Sequence, residues 1–377
     1  MKIIHCADLH LDSKMTANLS KEQAKERKTE MLHTFSNMIQ YAKEQGVKVI
    51  IIAGDLFDTR NVSATARNLV RDSIIGNPEI DFLYLKGNHD TDNFLSNLEE
   101  LPQNLKLFSD QWKSYTYGNI TITGLELNHD NYQTAYNALA LNHDMYNIVT
   151  LHGQEAEYKT KDQAEVISLN ELKNKNIDYL ALGHVHGYQE EQLDARGIYC
   201  YPGCLEGRGF DECGEKGFVL LNIDEEQLQA SREFISLAER TLYTVPVDVS
   251  DCITTEEARK KIDTLLLTQY DIKDERQAEN VSQLVLTNRD LVKFVLTGNV
   301  AIDSEFNTDY LVEQLKNKFY FVKVYDQTQI QVDYKEYEND VSLKGEFIRM
   351  VSKQELDDET RTEVIRYGIA VLSGEEL

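Results

Sequence analysis

An α/β protein built on two sheets flanked by helices is predicted by two features of the sequence. Five short apolar runs each close on Asp, Asn or His: Ile3–His10, Val49–Asp55, Ile80–Asp90, Ile148–Gly153 and Tyr179–His186. Between the first three runs, apolar residues recur at helical spacing, so strand and helix alternate as in crossover units on a mostly parallel sheet. In an open sheet of that kind the strand ends converge on one edge, where ligands bind. Five of the nine histidines, His10, His89, His152, His184 and His186, fall at these strand ends.

Taken in order, the first strand leads through Asp12 and Ser13 into a helix over Lys21–Glu44, whose Met31, Phe35, Met38, Ile39 and Ala42 form a core-facing stripe. Val47–Ala53 is the second strand, Ala64–Ile75 the second helix and Ile80–Leu85 the third strand. From Asn104 the texture turns to short alternating pieces such as Ile120–Leu125, which predict a second, more antiparallel sheet. A helix is expected over Asn131–Leu141, a strand over Tyr146–Leu151, a short helix over Leu169–Lys175, and closing strands over Ile198–Tyr201 and Gly217–Ile223. The first domain is expected to span residues 1–224.

A polar stretch, Glu225–Arg232, then separates it from a small α+β domain over residues 240–333. Its predicted elements are strands over Tyr243–Val249, Leu291–Leu296 and Phe319–Val324, a helix opening at Thr254 or Thr255 and running to Leu267, and a helix over Thr308–Lys318. Residues 334–377 read as a helical tail with amphipathic helices over Ser342–Ser352 and Glu359–Leu372. Their apolar stripes, with Ile348, Val351, Val364, Ile365 and Val371, suit either packing on their own domain or a partner.

Composition sets limits. With 41% hydrophobic and 27% charged residues the chain is an ordinary globular one, and no apolar run approaches the roughly 18 residues of a membrane span. A strand starting at Ile3 with no apolar leader points to the cytoplasm. Five cysteines, Cys6, Cys200, Cys204, Cys213 and Cys252, match no paired zinc spacing and are expected as free thiols. The net charge of −25 argues against a broad basic face that coats nucleic acid, although bound divalent cations can reverse the field locally.

Asp8-x-His10, Asp55 after Gly54, Asn88-His89, the lone His152 and His184-x-His186 supply carboxylate, amide and imidazole ligands without sulfur. That mixture suits manganese, iron or zinc. Because alternate residues of a strand share a face, Asp8 and His10, and likewise His184 and His186, are expected to reach one side together. Asp55, alone at its strand end, is a natural bridging carboxylate. Two ions a few ångströms apart clamp a phosphodiester and activate water, and His89 is placed to orient the phosphate or protonate the leaving oxygen. Each fragment alone has a bland reading: Asn88-His89-Asp90 caps a turn, His152 is a core histidine, and Asp58 is a loop cap. Five strand ends carrying such residues are poorly explained by chance.

Asp8-x-His10, Gly54-Asp55-x-x-Asp58, Gly87-Asn88-His89-Asp90, His152 and Gly183-His184-x-His186 resemble the calcineurin-like metallophosphoesterase superfamily over about residues 1–224. Within it, Asp8–Ser13, Gly54–Asp58, Tyr201-Pro202-Gly203, Phe210-Asp211-Glu212 and Lys216-Gly217 resemble the SbcD/Mre-type DNA-repair nucleases, and the whole chain most resembles their bacterial YhaO-like branch. The resemblance implies a two-sheet metallophosphoesterase sandwich, a small α+β capping domain and a helical tail. It implies two divalent ions, manganese foremost, one held by Asp8, His10, Asp55 and His186 and the other by Asp55, Asn88, His152 and His184, with His89 catalytic. It further implies a homodimer acting as exonuclease or endonuclease on DNA ends, with an SMC-like (SbcC-type) ATPase docked on the tail. Asp58 stands where archaeal and eukaryotic members carry a histidine, and Cys204 where a serine is common. Two other readings stay open: a phosphodiesterase for small nucleotides, and a metal-binding scaffold subunit. Lys14, Arg60, Lys86, Arg208 and Lys216 lie near the motifs as possible phosphate contacts or as solvated charges.

Overall fold

The computed structural model describes residues 1–58, 62–87, 90, 100–157, 166–268, 270–272, 284–331 and 337–373. The chain divides into two compact units, Met1–Leu242 and Tyr243–Leu377.

The first unit opens with β1 (Lys2–Cys6), α1 (Lys21–Gln45), β2 (Val49–Ala53), α2 (Ala64–Ile75), β3 (Asp81–Leu85) and β4 (Leu105–Leu107). It continues with β5 (Lys113–Tyr117), β6 (Ile120–Gly124), β7 (Tyr146–His152), β8 (Gln154–Ala156), β9 (Val166–Ser168), α3 (Leu169–Leu172) and β10 (Tyr179–Gly183). It closes with β11 (Gln189–Gln192), β12 (Ile198–Tyr201), β13 (Gly217–Asp224) and β14 (Gln229–Ser236). Two six-stranded sheets result, ordered β14-β13-β1-β2-β3-β4 and β11-β12-β10-β7-β6-β5.

Strand parity separates three apolar layers. Ile3, Val49, Ile51, Leu83 and Leu85 of the first sheet meet Ile120, Ile122, Ile148, Tyr179 and Ala181 of the second, forming the core between the sheets. The neighbouring residues Ile4, Ile50, Ile52 and Phe82 point the other way, onto Met31, Phe35 and Met38 of α1 and Ala66, Val70 and Ile74 of α2. On the far side, Val149, Leu151, Leu180 and Leu182 pack on Tyr136, Ile167 and Leu172. Strands buried on both faces read as unbroken apolar runs, as Val49–Ala53 does. Helix α1 starts at a capping box of Ser20 and Gln23 and stops at Gly46, whose φ of 68° suits a residue without a side chain.

Three sequence expectations are corrected. The second sheet is parallel through β12-β10-β7-β6, with antiparallel pairs only at its edges. The alternation over Ile120–Leu125 reflects a strand one place from the edge, whose Thr121 is only half covered. In place of a helix over Asn131–Leu141 there is a single 3-10 turn, Ala135–Ala138. The Asn131 side chain accepts from the Asn128 N–H and donates to the carbonyls of Asp110 and Glu126, which holds a turn where a helix would begin. The polar stretch after residue 224 is not a linker: it turns back into β14, paired antiparallel with β13 from Asp224–Gln229 to Gly217–Ser236. An edge strand with a solvated face carries little apolar signal, so the sequence reading ended the first unit too early.

The second unit has a three-stranded sheet of Leu242–Asp248, Leu291–Thr297 and Phe321–Asp326, with helices Thr255–Thr268 and Thr308–Leu315. Val245, Ile262, Phe294, Leu311 and Val324 make its core. The tail helices, Leu343–Ser352 and Asp358–Ser373, share a small core of Ile348, Val351 and Ile365 with Ile302. Val364, Tyr367 and Val371, spaced along one helical face, stay exposed. No described helix is long and apolar enough to cross a membrane.

One buried ion pair fastens α1 to the loop after β12. Arg27, 1% exposed, donates to Glu206, 2% exposed, at 2.7 Å, and Thr34 Oγ1 and the Glu239 N–H also donate to that carboxylate. Without Glu206, Arg27 keeps Glu30 as its carboxylate partner while the Glu239 N–H loses its acceptor, so Glu206→Ala should lower the unfolding free energy by about 1–3 kcal/mol in urea denaturation. A loss under ~1 kcal/mol would mean that water solvates Arg27 in the variant.

Candidate metal centre

The site lies at the edge where the parallel strands of both sheets end. Asp8 and His10 follow β1, Asp55 follows β2, His152 closes β7, and His184 and His186 follow β10. Simple strand alternation does not aim them, contrary to expectation: Asp8, His10 and Asp55 have left-handed backbones, with φ of 51°, 43° and 50°. Such conformations cost non-glycine residues about 1–3 kcal/mol each and persist where the surroundings over-determine them. Here the two loops pair with each other, through Asp8 N–H to Gly54 O at 3.1 Å, His10 N–H to Asp55 O at 2.9 Å and Leu11 N–H to Leu56 O at 3.0 Å.

The side chains converge in two groups whose ligand atoms lie within 4.8 Å of one another, Asp8–His10–His186 and Asp8–Asp55–His152. Asp8 is shared, and both its oxygens accept from the His184 N–H at 2.9 Å. Asp55 Oδ2 also reaches both groups, lying 3.8 Å from His10 Nε2 and 3.4 Å from His152 Nε2. His10 Nε2 and His186 Nε2 face each other at 3.1 Å. The His152 Nδ1–H donates to the Ala53 carbonyl at 2.9 Å, which turns its Nε2 toward Asp55. The His184 ring stands edge-on to that of His152, with centroids 5.5 Å apart. Asn88 and His89 lie outside the described residues. Imidazole nitrogens and carboxylates, buried and mutually facing, fit divalent ions of the borderline class.

Residues 1–188 match the calcineurin-like phosphoesterase family. The chain carries a metallophosphoesterase domain of that family. It is 27% identical over 269 residues to the metallophosphoesterase YhaO of Bacillus subtilis, covering 67% of this chain and 64% of that one. It is 25% identical over 289 residues to the SbcD component of the SbcCD nuclease of Staphylococcus epidermidis, covering 67% and 74%. It is 27% identical over 315 residues to the DNA double-strand break repair protein Mre11 of Sulfurisphaera tokodaii, covering 78% and 76%. The chain thus spans just under two thirds of the length of YhaO.

Within the metallophosphoesterase domain a third loop, after β3, is tied to the site by Asp90. Its carboxylate accepts from the N–H groups of Gly87 at 3.0 Å, Leu56 at 3.2 Å and Phe57 at 3.0 Å, locking the loop to the one that carries Asp55. Sequence reading placed Asp90 only as part of a motif, although an acid beside Asn-His is the signal for such a clamp. Close approach of the backbone is also required. A side chain at Gly54, φ 94°, would place its Cβ 2.0 Å from His152 Nδ1.

Of the nearby cations, three have protein partners. Arg208 pairs with Glu212 and Asp58, Lys216 Nζ donates to the His186 carbonyl at 2.8 Å, and Lys86 lies 3.9 Å from Glu126. Lys14 is exposed, and Arg60 is outside the described residues. The five cysteines are free thiols, and none joins a metal-ligand group among the described residues. Glu212 and Lys216 were legible as motif residues and Arg208 as a charge near the motifs, but none of them as a neighbour of His186.

Burial raises the Asp8 carboxyl to about 6, against the pull of His152 and His186. Burial disfavours a charged His152, but the Asp55 carboxylate, with Asp8 and the Ala53 carbonyl, outweighs it and lifts the imidazole to about 9. Glu212 is opposed by burial too, yet His186 and Arg208 hold it well below the usual carboxylate range.

Two outcomes follow from this geometry. Gly54→Ala should push His152 off its Ala53 contact, and isothermal titration should show divalent-ion affinity at that position falling at least tenfold; unchanged affinity would mean the loop yields without cost. The second concerns pH. A histidine held above its ordinary value of 6.5 stabilises the folded state fully below 6.5 and ceases to do so as pH passes about 9. The metal-free protein should therefore melt at progressively lower temperature from pH 6.5 to 9, and a saturating divalent ion, which needs His152 neutral, should flatten or reverse that slope. A metal-free melting temperature that rises over this range would contradict the charged His152–Asp55 pair.

Proposed function

We propose that this protein is a divalent-metal phosphodiesterase acting on DNA ends, exonuclease or endonuclease, in DNA repair. The observation that carries the reading is the pair of ligand groups sharing Asp8, brought from both sheets to one edge. In this reading Asp8, His10, Asp55 and His186 hold one ion, and Asp55, Asn88, His152 and His184 the other. When bound, the ions supply Lewis-acid charge that activates water and stabilises the phosphodiester oxygens, and manganese is the proposed metal. Asp8 and Asp55 supply the negative charge that retains two dications, while the Ala53 carbonyl keeps His152 oriented with Nε2 toward the site. His89, beside Asn88, is the general acid that protonates the leaving oxygen.

The names of the SbcCD nuclease and of Mre11 support a polynucleotide substrate and DNA repair. The wider proposal is a cytoplasmic homodimer with an SMC-like ATPase on the tail. Support for docking there comes from the exposed Val364, Tyr367 and Val371. A second reading, hydrolysis of small nucleotides, is favoured by the net charge of −25 and by the inward commitment of Arg208 and Lys216.

The deciding assay is hydrolysis of linear DNA with manganese by the wild type and by His89→Ala at matched metal occupancy, over a range of salt. The proposal expects wild-type cutting that weakens with salt and a loss of about 10²–10⁴-fold in the variant. Turnover of a small phosphodiester with no cutting of DNA, alone or with the ATPase, would move the substrate to nucleotides.

A further inference from the structure

The two imidazoles of the Asp8–His10–His186 group turn their Nε2 atoms to each other at 3.1 Å, and each has an outer nitrogen. His186 Nδ1 lies 2.7 Å from Glu212 Oε1. His10 Nδ1, buried, faces Asp58 Oδ1 at 3.3 Å. One guanidinium spans the two carboxylates: Arg208 Nη2 donates to Glu212 Oε1 at 2.6 Å, its Nε lies 3.1 Å from the same oxygen, and its Nη1 lies 3.6 Å from Asp58 Oδ1. The backbone N–H of Arg208 also donates to Glu212 Oε2 at 2.7 Å. His10, Asp58, Arg208, Glu212 and His186 thus form a closed circuit around the ligand atoms, with Glu212 and Arg208 side chains only 5% and 14% exposed.

The circuit bears on which nitrogen of each ring carries the proton. Arg208 Nη2 lies 3.2 Å from His186 Nδ1 and would favour a lone pair there, which would put the proton on Nε2 and block ligation. An ionised Glu212 can only accept, and it sits closer, at 2.7 Å. It therefore demands a proton on Nδ1, and Arg208 keeps it ionised and fixed. Asp58, 3.3 Å from His10 Nδ1 without completing a hydrogen bond, favours a proton there through its charge alone.

We propose that Asp58, Arg208 and Glu212 are a positioning unit that locks His10 and His186 in the tautomer whose Nε2 atoms bind a single divalent ion. This rests on the two-ion reading above, and it gives Asp58 a part beyond that of a loop cap. Outer partners of this kind typically change metal affinity about 10–100-fold.

The full chain would be titrated with zinc alone, a diamagnetic probe, by calorimetry and by two-bond proton–nitrogen spectra of the histidine rings. The expected wild-type result is two sites, with His10 and His186 protonated at Nδ1 and zinc at Nε2. Glu212→Ala should weaken one site about 10–100-fold and spare the other, and Glu212→Gln, which keeps an acceptor oxygen, should recover most of the loss. Asp58→Ala, nearer the surface, should weaken the same site and covers the case in which Glu212→Ala does not fold. Ligation of either ring through Nδ1, or wild-type zinc affinity at both sites in folded variants, would overturn the inference and leave the two-ion reading standing. A wild-type chain that binds no zinc, manganese or iron would sink both.

Discussion

Everything at the site edge depends on the burial of ionisable side chains between two sheets. Asp8, His10, Asp55 and His152 are each at most 8% exposed, and two carboxylates and three imidazoles crowd into two overlapping groups. Desolvation of that many groups is unfavourable unless charges are paired. Protein atoms do part of the work: the His184 N–H holds Asp8, and His152 is held by Ala53 and faces Asp55. One contact they leave unsettled is the pair of facing Nε2 atoms of His10 and His186, where one proton at most can be shared. A cation between these donors satisfies them all at once, so the apolar sandwich and the affinity for divalent ions are two sides of one constraint.

The same constraint explains the backbone. Left-handed conformations at Asp8, His10 and Asp55 are tolerated because the loops after β1 and β2 hydrogen-bond to each other as an irregular extension of the sheet, and because Asp90 clamps the second loop from the third. Hydrogen bonds cross between the sheets as well, from His152 to Ala53 and from His184 to Asp8. Ligands from the second sheet are therefore positioned by the first. Movement of one sheet edge relative to the other would disturb both ligand groups together.

Much of this was legible in the sequence, and for a clear reason. Strands buried on both faces give uninterrupted apolar runs, so β1, β2, β3, β7 and β10 stood out, and the polar residues that end them are conspicuous against that background. Elements with one solvated face were harder to read. β14 exposes most of its residues and was read only as a polar stretch between domains, and the second sheet was judged by the alternation over Ile120–Leu125, a strand one place from its edge. The supposed helix at Asn131–Leu141 had helical spacing in Tyr132, Ala135, Tyr136 and Leu139, but that spacing also serves a turn packed on the second sheet. Pair identities were beyond reach. Nothing in the order of residues says that Arg208 meets both Asp58 and Glu212, because that meeting is made by the folding of two distant loops.

Those inward-facing cations also bear on how an acidic chain could handle an anionic substrate. Arg208 and Lys216 are committed to Glu212 and to the His186 carbonyl, so they organise ligands rather than offering free charge to a phosphate. The formal charge of −25 then leaves the ions themselves as the main source of positive field at the edge. Two dications, as proposed above, would add four charges at one point, in a site where low dielectric strengthens every interaction. An acidic surface around such a point disfavours indiscriminate binding along nucleic acid while leaving attraction at the centre. Acidity of the whole and affinity of the site for phosphate are therefore compatible, and affinity becomes conditional on the metal being bound.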